Sequence, residues 1–242
     1  MIIEAARMGA ANLLIPASRS ALWKSLGITL LIIAGIWFGL GSAFESIAMP
    51  LLDQFIPGLP GWAGWLGTVA AIVAGLGLAL VLGMLIAPIT AIVAGLFLDD
   101  VAEVIEKTDY PEDQPGRAMP LGDAILQSAK FMLVVIAGNV VALFMLLIPG
   151  VNIAAFFIVN GYLLGREYFE FAAMRHHPPK EARAIRSRNG LNVFLAGLVI
   201  AAFLSVPILN LLTPMFAAGM MVHLYKMTAR RMTPSNASTY RA

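Results

Sequence analysis

The sequence predicts an all-α integral membrane protein: two long transmembrane helices followed by two re-entrant, hemi-penetrating helical hairpins. Three observations lead there. Sixty per cent of the 242 residues are hydrophobic and 12% are charged, with a mean hydropathy of +0.84, whereas a soluble domain averages roughly 25% charged. Residues 26–44, 62–98, 131–165 and 191–225 contain no Asp, Glu, Lys or Arg, and about 18 such residues suffice for a spanning candidate. The two later stretches are each broken by a proline followed three residues on by asparagine, in "IPGVN" (148–152) and "VPILN" (206–210).

The elements follow in chain order within one membrane domain, residues 1–242. Residues 1–20 carry apolar positions at 2, 3, 6, 10, 13, 14 and 15, the pattern of a short interfacial amphipathic helix. Arg7, Arg19 and Lys24 before an apolar stretch resemble a signal peptide. That stretch exceeds an h-region of about 7 to 15 residues, and a second apolar segment soon follows, so it reads as a retained helix. The long helices are expected at 26–48 and 62–98. The second is expected to continue as helix past the lipid boundary, because Leu98, Val101, Ala102 and Ile105 recur at helical spacing with acids on the opposite face. Residues 232–242 read as a flexible tail.

Charge placement sets the orientation. Lys and Arg fall in 1–24, 99–130, 166–190 and after 225, whereas 49–65 holds only Asp53. By the positive-inside tendency the basic segments and both termini are cytoplasmic, and "QFIPGLPGW" lies outside with Trp62 and Trp65 as interfacial anchors. Each later run has about 35 residues, about 52 Å as one helix, against about 30 Å of hydrocarbon. Splitting at Pro149 or Pro207 leaves arms of about 16 to 18 residues, at or below spanning length. With basic residues at both ends of each run, hairpins returning to the cytoplasmic face at 131–165 and 191–225 fit best.

Irregular backbone at such depth is tolerated only when buried in protein or facing water. Asn152 and Asn210 therefore have two readings, as turn-makers bonding local backbone or as groups lining a pore; paired broken helices in corresponding positions point toward a transport pathway. Enzyme chemistry lacks its parts. There is no cysteine, no Gly-x-x-x-x-Gly-Lys phosphate loop, no nucleophile elbow and no His/Asp cluster with ligand spacing. His176 and His177 adjoin Pro178 and Pro179 in a loop signature, so no metal is expected, and no cofactor. No basic stripe suggests nucleic acid. Gly35, Gly39, Gly75, Gly77 and Gly83 permit close helix contacts, between protomers or within one.

The stretch 147–227, from "LIPGVN" through "REYFEF" and "RAIRSRN" to "VPILNLLTPM", resembles the C-terminal half of the CysZ sulfate permeases, a superfamily shared with etoposide-induced-type membrane proteins. The resemblance covers roughly residues 12–231. It implies a bacterial inner-membrane protein that admits sulfate for assimilation into cysteine, assembled as a homo-oligomer, with hemi-penetrating helix pairs and no ATPase subunit. Sulfite is a candidate competitor.

The family's sulfate element is a Gly-x-Arg-Arg motif opening the first long membrane helix. Here Ala21 stands at the Gly position, Leu22 follows, and Trp23 and Lys24 replace the arginines. The free N–H groups of a helix N-terminus suit an oxyanion, with Lys24 adding a charge and Ser25 a hydroxyl; Lys lacks the bidentate fork of Arg. The alternative is that Arg19 and Lys24 anchor a helix end to headgroups. Asp100 and Glu103 resemble paired acids of the family, and they would need basic partners such as Arg166, Arg183, Arg186 or Arg188 to avoid repelling an anion. As plain sequence they are an exposed acidic face. Glu167 and Glu170, beside Arg166, sit at helical spacing and read as surface-stabilising charges. The leading functional reading is a sulfate permease or channel; the alternatives are a membrane-shaping scaffold whose hairpins wedge one leaflet, or a channel for another anion.

Overall fold

A computed structural model of the chain describes residues 1–43, 46, 64–120, 122 and 152–232. Among these the regular structure is helical: α1 (Ile2–Asn12), α2 (Pro16–Ala43), α3 (Gly64–Gly95), α4 (Leu98–Asp109), α5 (Asn152–Met174), α6 (Pro179–Arg188), α7 (Gly190–Leu204), α8 (Pro207–Asn210) and α9 (Thr213–Met232). The outer loop, the first arm and tip of the hairpin at 131–165, and the tail lie outside the described residues. The chain divides into two compact units, Met1–Leu22 with Ala94–Ala242, and Trp23–Val93.

The unit Trp23–Val93 consists of most of α2 and α3. The whole of α2 has 28 residues, about 42 Å at about 1.5 Å per residue, and it is long and apolar enough to cross a membrane. Its apolar side chains stay outside the protein, Leu31 at 74% and Phe38 at 73% exposure among them. The 32 residues of α3 contain no Asp, Glu, Lys or Arg. Leu80 and Ile92 of α3 are likewise exposed. The two helices border a shallow apolar cleft lined by Leu30, Trp37, Phe38, Leu82 and Ile86. Around Gly35, Gly39, Gly75, Gly77 and Gly83 an added Cβ would meet nothing within 4 Å.

The other unit is built around α9. From Thr213 to Lys226 every residue of α9 is buried, because α1, α4, α5 and α7 pack around it. Close backbone approach makes this possible. A Cβ on Gly9 of α1 would lie 2.7 Å from the Met220 backbone nitrogen, so α1 meets α9 through Ala5 and Gly9, while Ile3 of α1 and Leu14 just past its end are exposed. The tightest packing joins α5 to α7. There a Cβ on Gly197 would lie 1.8 Å from the Gly161 carbonyl oxygen, and one on Gly165 would lie 2.5 Å from that of Val193. The "GYLLG" spacing of 161–165 is the small-xxx-small pattern of close helix pairs.

Two boundaries differ from expectation. Helix α2 opens at Pro16 rather than near 26, proline being favoured in a first turn where its missing N–H costs nothing. The second long helix does not run on into the acidic segment: it ends at Gly95, Phe97 N–H closes a turn on Ala94, and α4 restarts at Leu98. The expected amphipathic face of α4 is as predicted, with Leu98, Val101, Ala102 and Ile105 buried. The run 191–225 turns where expected, between Leu204 and Thr213. Its turn is held by Ser205 Oγ donating to the Ala202 carbonyl (2.7 Å) and Thr213 Oγ1 to that of Leu209 (3.3 Å).

Candidate functional site

The four residues matched to the family's sulfate element, Ala21 to Lys24, and the neighbouring Arg19 and Ser25 all lie on α2, after its opening at Pro16. The helix begins at Pro16 and Arg19 N–H already bonds the Ile15 carbonyl. Positions 22–25 therefore sit beyond the first turn, where N–H groups are taken up in the helix, which corrects the expected site at the helix N-terminus. Arg19, Trp23 and Lys24 are exposed and Leu22 is half-buried, whereas Ser25 is fully buried in a stripe with Ser18, Ala21 and Thr29. Lys24 is thus exposed where its neighbour Ser25 is buried. Thr29 Oγ1 donates to the Ser25 carbonyl at 2.8 Å.

The acids and bases of α4 to α6 pair differently from expectation. Asp100 and Glu103 are exposed, and Glu103 pairs with Lys107 on its own helix; neither meets the arginines of 166–188 in any ion pair among the described residues. Arg166 and Arg186 instead converge on Glu170, at 3.2 and 2.9 Å. Glu170 is buried, so it is a clamped internal carboxylate and not a surface partner. Arg188 is exposed.

The most completely satisfied polar group in the unit is one that sequence reasoning missed. Glu106 of α4 accepts from Arg175 Nε (3.2 Å) and Nη2 (3.1 Å), His176 Nε2 (2.9 Å) and the Gly116 N–H (3.0 Å). Four donors fill the capacity of a carboxylate. Arg175 also pairs with Asp99, and its carbonyl accepts from Arg117 N–H at 2.8 Å. A Cβ at Gly116 would lie 2.9 Å from both Glu106 oxygens, so only glycine lets this N–H come so close. Burial pushes the Glu106 carboxyl up, but the His176 hydrogen bond and the Arg175 guanidinium outweigh it and hold the group at about 2, below its ordinary 4.5. The arrangement holds the carboxylate as an anion against the Arg175 guanidinium, with its remaining lone pairs filled by His176 and the Gly116 N–H. The available signal was a glutamate beside the apolar stripe of α4, which burial obliges to find a partner.

Two further polar links tie the ends of the unit together. His223 of α9 lies 2.8 Å from Asn12 through Nε2 and 2.8 Å from the Tyr110 hydroxyl through Nδ1. Asp113 meets Lys226 (3.3 Å) and Arg230 (3.6 Å). His176 stacks on Tyr225 at 5.2 Å between centroids, and His177 pairs with Glu181. Asn152 is the first residue of α5. Asn210, half-buried, closes α8, and its side chain makes no hydrogen bond among the described residues. The turn role expected for Asn210 belongs to Ser205 and Thr213.

Comparison with protein families matches residues 5–214 to the family described as sulfate transporter CysZ/etoposide-induced protein 2.4. No curated protein matches the chain. The matched span runs from Ala5 within α1 through α8, with the Glu106 and Glu170 clamps and the turn at 205–212, and a match over so much of the sequence settles membership: the chain belongs to the sulfate transporter CysZ/etoposide-induced protein 2.4 family.

Proposed function

We propose that the protein is a sulfate permease of the bacterial inner membrane, supplying sulfate for assimilation into cysteine and working as a homo-oligomer without an ATPase subunit. The observation that carries this reading is the family match over residues 5–214, supported by an apolar helix of spanning length at Pro16–Ala43. In this reading α2 and α3 are the full crossings, with both termini cytoplasmic. The 15 residues of α7 amount to about 22 Å, short of about 30 Å of hydrocarbon. Turning back at 205–212 is what a hemi-penetrating arm of that length must do.

Sulfate is engaged by Lys24, with Arg19 earlier on the same helix. Both are exposed, and they act as point charges from side chains because the backbone there is already bonded within the helix. Asn152 and Asn210 stand at the hairpin tips, where a hydrated path would run. Arg166 and Arg186, held on Glu170, contribute a net positive group. Asp100 and Glu103 stay outside the path. The test is growth of a bacterium lacking its own sulfate import, with sulfate as the sole sulfur source. This chain restores growth, Lys24→Ala slows it, and cysteine supports all strains equally. Absence of growth on sulfate with the protein present in the membrane contradicts the reading; full growth with Lys24→Ala contradicts only the assigned site.

A further inference from the structure

Helix α6 meets α7 at a bend of 90°, at Asn189, whose Nδ2 donates to the Ile185 carbonyl at 2.9 Å. The two helices have opposite chemistry. The 15 residues of α7 contain no charge, and their outward positions Leu191, Leu195 and Ala202 recur along one face. The 10 residues of α6 hold Lys180, Arg183, Arg186 and Arg188 against one acid, Glu181. A basic helix therefore lies across the end of an apolar one.

The faces of α6 are sorted as well. Ala182 and Ile185 are buried, and Arg186 turns inward to Glu170 at 2.9 Å. Lys180, Ala184, Ser187 and Arg188 form the exposed face, at the spacing of one helical stripe. Lys180 and Arg188 stand at its two ends and make no ion pair among the described residues. The exposed acid Glu181 is engaged by His177 at 3.2 Å. Ala184 and Ser187 between the cations are short, which leaves room for a bulky anion. Arg188 is three residues before Leu191, so the outer cation follows directly from the apolar stripe of α7.

We propose that the exposed face of α6 binds the phosphodiester headgroups of anionic phospholipids, with Lys180 and Arg188 as the cations. With α7 immersed in the hydrocarbon, the right-angle bend lays α6 in the membrane plane at headgroup level, where a basic amphipathic helix is held by attraction to anionic lipid. The inference rests on the membrane nature of the family and not on the identity of the transported ion. Failure of sulfate transport would leave it standing, and its own failure would leave transport standing.

The full-length protein in a neutral maltoside detergent is mixed with phosphatidylglycerol or phosphatidylcholine, and bound lipids are counted by native mass spectrometry. Phosphatidylglycerol binds in preference. The double variant Lys180→Gln/Arg188→Gln weakens its binding about 30-fold, about fivefold for each cation near a charged surface, with phosphatidylcholine unaffected. Lys107→Gln/Arg231→Gln, which removes the same charge elsewhere, and the charge-keeping Lys180→Arg/Arg188→Lys both retain binding, and inorganic phosphate fails to displace the lipid. Equal binding of the two lipids overturns the proposal. So does an undiminished affinity of the glutamine variant, an equal loss in the charge control, or displacement by inorganic phosphate.

Discussion

Helices α2 and α9 are both dominated by apolar residues, and they use that character in opposite ways. Along α2 the apolar residues face outward, with Leu31, Phe38 and their neighbours exposed. Along α9 all positions from Thr213 to Lys226 are covered by the chain's own helices. Glycines mark the same division: Gly35 and Gly39 of α2 border open space, whereas Gly9, Gly161, Gly165 and Gly197 lie where a single methyl would strike backbone or side chain. Apolar character decides that a segment leaves water. Which surface then covers it is decided by small residues at close-approach points and by where charges can be paired.

That division breaks most sharply at Gly197. Gly197→Val places its Cβ and more against the Gly161 carbonyl, an overpacking that side-chain rotamers cannot relieve. The variant is expected to lose monodisperse behaviour in size-exclusion chromatography. Gly35→Ala and Gly39→Ala, on the open helix, are expected to stay within about 0.5 kcal/mol of the parent. Next in size is Arg175→Met, which strands Glu106 as an uncompensated buried charge and costs about 3 to 5 kcal/mol in reversible unfolding. Glu103→Gln, three residues before Glu106 and exposed, costs about 0.5 kcal/mol or less.

Acid sharpens the same contrast. The carboxyl of Glu106 is held below its unfolded value, so it binds its proton more readily in the unfolded chain, and its contribution is intact above about 4.5 and lost as pH falls toward about 2. Unfolding midpoints measured across that window should fall for the parent and flatten for Glu106→Gln. The smallest effects belong to the turn at 205–213. Thr213→Val removes a bond to the Leu209 carbonyl and should cost about 1 kcal/mol. Asn210→Ala should change thermal unfolding by less than that.

How much of this was legible in the sequence follows from the range of the forces. Local periodicity placed the buried face of α4, and proline with short arm length placed the turn after Leu204; both depend on neighbours a few residues away. The start of α2 was misread because the apolar run begins at 26 while the helix begins at Pro16, and polar residues such as Ser18 and Arg19 continue a helix without extending an apolar count. The Glu106 clamp was not legible. Glu106 and Arg175 are 69 residues apart, and no spacing rule reaches that far. The pattern showed an acid needing a partner but not which cation would arrive. The "GYLLG" pair was visible as spacing, yet its role depends on Gly197, more than thirty residues on.

Transport itself is tested most directly by reconstituting the purified full-length protein into liposomes and following entry of radiolabelled sulfate down its gradient. Flux well above that of protein-free liposomes, reduced by Lys24→Ala and unchanged by Lys107→Gln, is the expected result. Flux no greater than in protein-free liposomes, with the protein shown to be folded and inserted, would contradict the assignment of this chain as a sulfate permease.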